Sequence, residues 1–338
     1  MGTPASYKWL IGSTKTEGNF GVAMASADLT DWYKIKEADF SQMDTTFESD
    51  EDEINGYVGG TLYTVQERKG TMARKAKASI ELITWALGEM LGNVTSSGAT
   101  PNYTQTIKWR NVCAVNPPSF SFVEGEDCVG QTATNWLYKG VVINTLTLEF
   151  NGKGPGALTL ALMHDGSETA QPSVVFPVPA AAFAVNKLFG YHLTTKLGPL
   201  GTEDITPLLR SWKMTINSGI VEPPSMAAGV LVSEYQYGPK NPKIDIEISL
   251  KANKGHAIYG YYQAAAPTVV KHISALTINT NRSITLTQSS CIVTAIAKPS
   301  GNEVNLDIKV MEQHNAIDGG PGAFVCKTGF ANLLQNSP

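Results

Sequence analysis

Residues 70–92 read Gly-Thr-Met-Ala-Arg-Lys-Ala-Lys-Ala-Ser-Ile-Glu-Leu-Ile-Thr-Trp-Ala-Leu-Gly-Glu-Met-Leu-Gly, and two periods meet inside them. Met72, Arg74, Ala76 and Ala78 alternate with Lys75 and Lys77, the period of two that a half-buried strand requires. From Ile80 the period changes. Ile80, Ile83, Leu87 and Leu91 fall three to four apart, and Trp85, Ala86 and Met90 widen the stripe into the packing face of a helix. Ser79 is placed to cap its start, Glu81 suits the positive end of the helix dipole, and Gly92 supplies the stop. A strand running almost directly into a short amphipathic helix is the expectation.

The same grammar returns at 242–265. Ile244, Ile246, Ile248 and Leu250 alternate with Lys243, Asp245, Glu247, Ser249 and Lys251, and a helix is expected over 255–265, closed by Pro267. Its packing face is read as Ile258, Tyr261 and Tyr262. In both halves an early strand precedes a long loop, the alternating strand, the helix and a closing hairpin, so the order of elements argues for a duplicated unit. A chain of 338 residues suits two cores. The Pro/Ala-rich stretch 168–182, with Pro172, Pro177 and Pro179, favours an extended connector. The expected division is 1–167, a linker at 168–182, and 183–338.

Working outward, residues 7–40 read as short strands, Tyr7–Ile11 and Gly21–Met24 among them, and 41–69 as a long polar loop. That loop holds the acidic run Glu48, Asp50, Glu51, Asp52 and Glu53, and just downstream lie Arg68, Lys69, Arg74, Lys75 and Lys77. The Gly/Ser/Pro-rich 92–102 reads as a loop, Tyr103–Trp109 and Ser119–Val123 as strands. Val141–Phe150 and Leu158–Leu162 read as a hairpin around Asn151-Gly152, where glycine tolerates positive φ. In the second half Trp212–Ile216 is a strand and 217–241 a loop. Ala275–Asn279, Ser283–Thr287, Cys291–Ala297 and Val304–Val310 are further strands. The fold class is mainly β (α+β), two tandem sandwich or barrel domains, each with a short flanking helix.

Composition narrows function more than any motif does. Charged residues make up 17% and net charge is −4, against roughly 25% charged in ordinary soluble domains. Either a Thr/Ser/Asn-rich β fold or a surface hidden in an assembly accounts for that, and the charge disfavours a dominant basic nucleic-acid face. Cys113, Cys128, Cys291 and Cys326 lack Cys-x-x-Cys spacing and read as free thiols in a reducing compartment. His164, His192, His256, His272 and His314 are scattered one per element, with no nucleophile elbow, His-Glu-x-x-His or P-loop. The 48–53 run lacks the EF-hand spacing. The expectation is no catalytic residue, no metal and no cofactor. No stretch approaches the 18 apolar residues of a membrane span, no signal peptide is read at the start, and the Met1-Gly2 match to a myristoylation template reads as chance.

This order of elements resembles the tail tube (major tail) proteins of tailed bacteriophages. The likeness rests on the acidic loop at 48–53 ahead of Gly59-Gly60, the strand into a short helix at 70–92, and the hairpin of Val141–Leu148 with Leu158–Leu162. It implies a structural virion protein, not an enzyme, whose rings stack around a channel with a continuous inner barrel. With two such domains per chain, it implies trimeric, pseudo-hexameric rings. The implied partners are other copies, a tape-measure protein and double-stranded DNA in the lumen, and terminator and baseplate or tip proteins at the ends. The implied location is the virion tail, assembled in the host bacterial cytoplasm. Inter-ring contacts are then expected from the 48–53 acids, Arg68, Lys69, Arg74, Lys75 and Lys77, and from Glu222, Glu234 and Lys240 of the second loop. Two alternatives stay open: the inner tube of a contractile, phage-derived injection apparatus, and a non-catalytic β-sandwich binding module such as an adhesin or carbohydrate-binding protein.

Overall fold

The computed structural model describes residues 6–12, 17–25, 31–32, 35–38, 42–49, 63–99, 101–109, 116–128, 134–170, 186–223, 231–238, 243–252, 256–263, 268–297, 306–313 and 315–329. The fold is mainly β. In the first half the strands are β1 (Ser6–Gly12), β2 (Asp31–Trp32), β3 (Ile35–Ala38), β4 (Gln42–Ser49) and β5 (Tyr63–Lys77). Helix α1 (Ile80–Leu91) follows, then β6 (Gly92–Ala99), β7 (Asn102–Trp109), β8 (Phe120–Cys128), β9 (Thr134–Asn151), β10 (Ala157–His164) and β11 (Thr169–Ala170). The second half has β12 (Leu193–Gly198), β13 (Glu203–Asp204), β14 (Leu209–Asn217), β15 (Ile220–Val221), β16 (Gln236–Tyr237) and β17 (Lys243–Leu250). It ends with α2 (Ala257–Gln263), β18 (Val270–Asn279), β19 (Arg282–Ala297), β20 (Leu306–Glu312) and β21 (Ala323–Thr328).

One pairing scheme occurs twice. In the first half β1 pairs β8, β8 pairs β9, β9 pairs β10, β10 pairs β5, and β5 pairs β3 and β4. In the second, β12 pairs β18, β18 pairs β19, β19 pairs β20, β20 pairs β17, and β17 pairs β14. Even the irregularities repeat. The β8–β9 shift lies between Phe120↔Val141 and Phe122↔Tyr138, the β18–β19 shift between Val270↔Cys291 and His272↔Gln288. The β9–β10 shift between Ile143↔Leu162 and Thr145↔Ala161 has its match between Val293↔Val310 and Ala295↔Lys309. That of β3–β5, between Ile35↔Ala76 and Glu37↔Lys75, has its match between Leu209↔Leu250 and Ser211↔Ser249. Three register shifts at matching places mark the same strand pairs in both repeats.

The two repeats share one sheet and one core. In sheet order the boundary strand of the first repeat, β9, pairs antiparallel with the boundary strand of the second, β14, from Asn151↔Ser211 to Thr145↔Asn217. Across the joint sheet Leu158, Leu160, Leu146, Leu148, Phe150, Trp212, Met214, Ile244, Ile246, Ile248, Ile308 and Val310 bury one face in a single apolar cluster that also takes in α1. The expected connector at 168–182 lies mostly outside the described residues.

Helix α1 forms as its period predicts. Ser79 Oγ accepts from Leu82 N, and Gly92 closes the helix at φ +68°, a left-handed turn that a side chain would strain. Ile80, Ile83, Trp85, Leu87 and Leu91 are all buried, as expected of the packing face, but so is every other residue of α1. The extra cover comes from β6, β7, β19 and β21.

Several expectations change. Gly21–Met24 is a turn and irregular chain, not a strand. Its neighbour Glu17 is buried, accepting from Ser119 Oγ at 2.8 Å, Ser121 Oγ at 2.6 Å and Gly140 N at 3.0 Å. The loop read at 41–69 is in large part a hairpin, β4 pairing β5 from Gln42↔Thr71 to Ser49↔Tyr63. The loop read at 92–102 is mostly strand β6, whose side chains are nearly all exposed and which is held by backbone pairing to β7. Ser283–Thr287 and Cys291–Ala297 are one long strand, β19, bent at its bulge. Helix α2 is described over Ala257–Gln263, where Tyr262 is exposed, not packed; Ile258 is buried, and Tyr261 is half-buried against the core with its hydroxyl donating to Glu203 at 3.2 Å.

Candidate functional site: the polar sheet face and its two edges

The shared sheet runs β3/β4–β5–β10–β9–β14–β17–β20–β19. Since strands alternate faces, burying the leucines and isoleucines turns the intervening residues outward together. Register then sorts them into rows. One row runs Lys75, Thr159, Thr147, Thr215, Asp245, Met311 and Ile292. The next runs Lys77, Ala157, Glu149, Lys213, Glu247 and Lys309.

From Glu149 to Lys309 that second row alternates in charge. Lys213 Nζ lies 3.3 Å from Glu247 Oε2, and Lys309 Nζ 3.8 Å from Asp245 Oδ1 in the row beside it. Opposite charges directly across strands stabilise a sheet modestly, and exposed pairs like these contribute little each. Their larger effect is on the field. A face on which Lys213 and Lys309 are set beside carboxylates offers no continuous basic track for a polyanion. It lines an open concavity of about 480 Å³.

The two ends of the sheet carry no further strand among the described residues: β3 and β4 pair within it only with β5, and the 292–297 stretch of β19 pairs only with β20. Unpaired edges carry rows of free N–H and C=O groups that template pairing with another chain. These two edges are the repeat-equivalents of β14 and β9, the strands that already join each other inside the chain.

At one end of the sheet, beyond the last β5–β10 pair Gly70↔His164, the β4–β5 hairpin continues alone. Arg68 is exposed there and forms a parallel backbone bridge to Leu231, and Lys69 Nζ lies 3.5 Å from Glu67 Oε2. Partial burial, then the nearby Glu67 carboxylate, raises the pKa of Glu222. Glu234 accepts from Gln236 Nε2 at 3.0 Å. The structure thus gathers Arg68, Lys69 and Glu222 at the base of the hairpin. Glu48 lies on β4; Asp50, Glu51, Asp52, Glu53 and Lys240 fall outside the described residues.

Three of the expected basic contacts lie elsewhere. Lys75 and Lys77 sit on the polar face. Arg74, expected at an inter-ring surface, points into the core at 3% exposure with Nη2 3.4 Å from Glu124 Oε1, because its alternation partners Met72 and Ala76 are the buried ones. Burial and the Glu124 charge beside it hold the Tyr138 phenol far above its ordinary pKa.

His272 is buried and held down to about 4 by desolvation, with Nδ1 2.8 Å from Gln288 Oε1 and Nε2 2.8 Å from Ser274 Oγ. Cys291 and Cys326 are free and buried, their thiols pushed up to about 12 by desolvation. Among the described residues there is no group of His, Cys, Asp and Glu that could hold a metal, and no helix long and apolar enough to cross a membrane. The chain matches no protein-family model and no curated protein.

Proposed function

We propose that the chain is the structural subunit of a bacteriophage tail tube, polymerising into stacked rings that form a channel for genome delivery. One observation carries the reading: two repeats already joined edge to edge through β9 and β14, with the equivalent edges at the two ends of the same sheet left without a further strand among the described residues. Adding another chain by the same junction continues the sheet without new geometry. Three chains give six repeats, and the curvature that bulges introduce closes such a sheet into a barrel. The threonine rows and the self-neutralising charge ladder then line the lumen, where passing DNA or a tape-measure protein finds nothing to hold it. The subunit does no chemistry.

The internal junction supplies a register for the external one. Ile216 faces Leu146 and Thr215 faces Thr147 across β9–β14. Carried to the equivalent positions, Met43 of one copy faces Ile296 of the next and Gln42 faces Ala297. The test is the pair Gln42→Cys with Ala297→Cys in the full chain, oxidised at concentrations where electron microscopy looks for hollow tubes. An intermolecular disulfide in ring or tube fractions is expected. Moving one cysteine to Ile296 turns it to the other face and abolishes it, since a one-residue step inverts a strand. A protein that stays monomeric at high concentration, or that assembles without this disulfide, overturns the reading.

A further inference from the structure

We infer that the exposed face of α2 is the docking site for Trp136 of the neighbouring copy, a contact that rests on the head-to-tail reading above. The two helices occupy equivalent places in the repeats but are covered very differently. Helix α1 lies where the repeats meet, and the second repeat covers it. β19 and β21 pack on it, Arg282 Nε reaches to 3.9 Å from Glu81 Oε1, and Tyr237 donates its hydroxyl to Met90 O at 3.0 Å. Helix α2 packs chiefly on its own repeat's β19 and buries only Ile258. Tyr259 and Tyr261 are half-buried and packed against the core cluster, and Tyr262 is 45% exposed.

As the second repeat stands beside α1, so in a head-to-tail ring the first repeat of the next copy stands beside α2. The part of it that corresponds to the 282–288 stretch of β19 is the start of β9, and the match is fixed by register. Phe122↔Tyr138 corresponds to His272↔Gln288, and the short strand β11, with Ala170 opposite Trp136, corresponds to β21, with Phe324 opposite Leu286. Trp136 therefore holds the position of Leu286. Leu286 is 3% exposed within the core cluster that contains α1, whereas Trp136 is 38% exposed. A large apolar ring left open where its counterpart is buried, opposite a helix whose counterpart is covered, fits one occupant: a second copy of this chain. Aromatic anchors of this kind concentrate interface energy.

The test places a photo-crosslinking residue at Trp136 of the full chain, in a background carrying the Gln42→Cys/Ala297→Cys pair. Illumination of the assembled fraction is expected to give adducts of twice the subunit mass, mapping by mass spectrometry to residues 256–263. Separately, Trp136→Ser and Tyr262→Ser are each expected to raise the concentration needed for assembly at least tenfold, with the far-ultraviolet circular dichroism of the monomer unchanged. Edge disulfides without adducts in 256–263 overturn this inference and leave the ring reading standing. Absence of both the disulfide and the adduct overturns both, and serine variants that assemble at the wild-type concentration overturn the inference alone.

Discussion

Glu89 sits in the last turn of α1 at 1% exposure with neither carboxylate oxygen hydrogen-bonded. Desolvation raises its pKa well above the usual carboxylate value, and the negative end of the helix dipole acts in the same direction. A group whose folded pKa is raised binds its proton more tightly in the folded state, so the stability tied to it is complete below the unfolded value of 4.5 and is lost as pH rises through the folded value. Glu89→Met is therefore expected to stabilise the chain by on the order of 1–4 kcal/mol at pH 8, with the advantage shrinking toward pH 4; urea titrations at both pH values measure it. Arg74 is the opposite case, a buried charge with its counter-ion. Arg74→Ala leaves Glu124 without that cation and is expected to cost about 3–5 kcal/mol, while Arg74→Met with Glu124→Leu recovers most of the loss. Equal unfolding midpoints for the single and double variants would count against the pair. Neither burial was legible beforehand. A single arginine in an apolar alternation reads equally well as an edge charge, and a glutamate on the far side of a helical stripe reads as solvent-facing until β6, β7, β19 and β21 close over it.

At the scale of elements, legibility followed the strength of the period. β17 was plain, because Ile244, Ile246, Ile248 and Leu250 alternate with charges, and so was α1 with its cap and stop. Ser79→Ala is expected to cost about 1 kcal/mol, read as a lower unfolding midpoint with unchanged steepness. Strand β6 was missed for a physical reason: Asn93-Val94-Thr95-Ser96-Ser97-Gly98 has no apolar alternation, because beyond Val94, which packs against the core, its side chains are exposed and backbone pairing to β7 chiefly holds it. The repeated bulges and the Glu149–Lys213–Glu247–Lys309 row were equally silent, since register between distant strands is set by packing and not by any local signal. The duplication itself could be read from the order of elements. The junction between repeats could not, because it depends on which edges meet.

Over the whole molecule the junction has two consequences. Because β9–β14 pairing and one apolar cluster span both repeats, calorimetry is expected to show a single unfolding transition, with calorimetric and van't Hoff enthalpies equal; two resolved transitions would mean that the repeats fold as separate units. The second consequence concerns growth in the other direction. In the proposed tube edge pairing closes a ring, so stacking would use different groups, and the β4–β5 hairpin leaves the shared sheet at one end with Glu48 on β4 and Asp50, Glu51, Asp52 and Glu53 following it in sequence. Like charges so concentrated gain from an opposite charge on the facing ring and repel each other without one, and salt weakens both effects over a Debye length of about 8 Å at physiological strength. Changing the five acids to Asn and Gln is accordingly expected to leave the Gln42–Ala297 disulfide and the single calorimetric transition intact while long tubes give way to isolated rings. Raising salt should shorten wild-type tubes in the same way. Tubes of unaltered length from the neutral variant would assign stacking to other groups at the hairpin base, of which Arg68 and Lys69 are the exposed candidates.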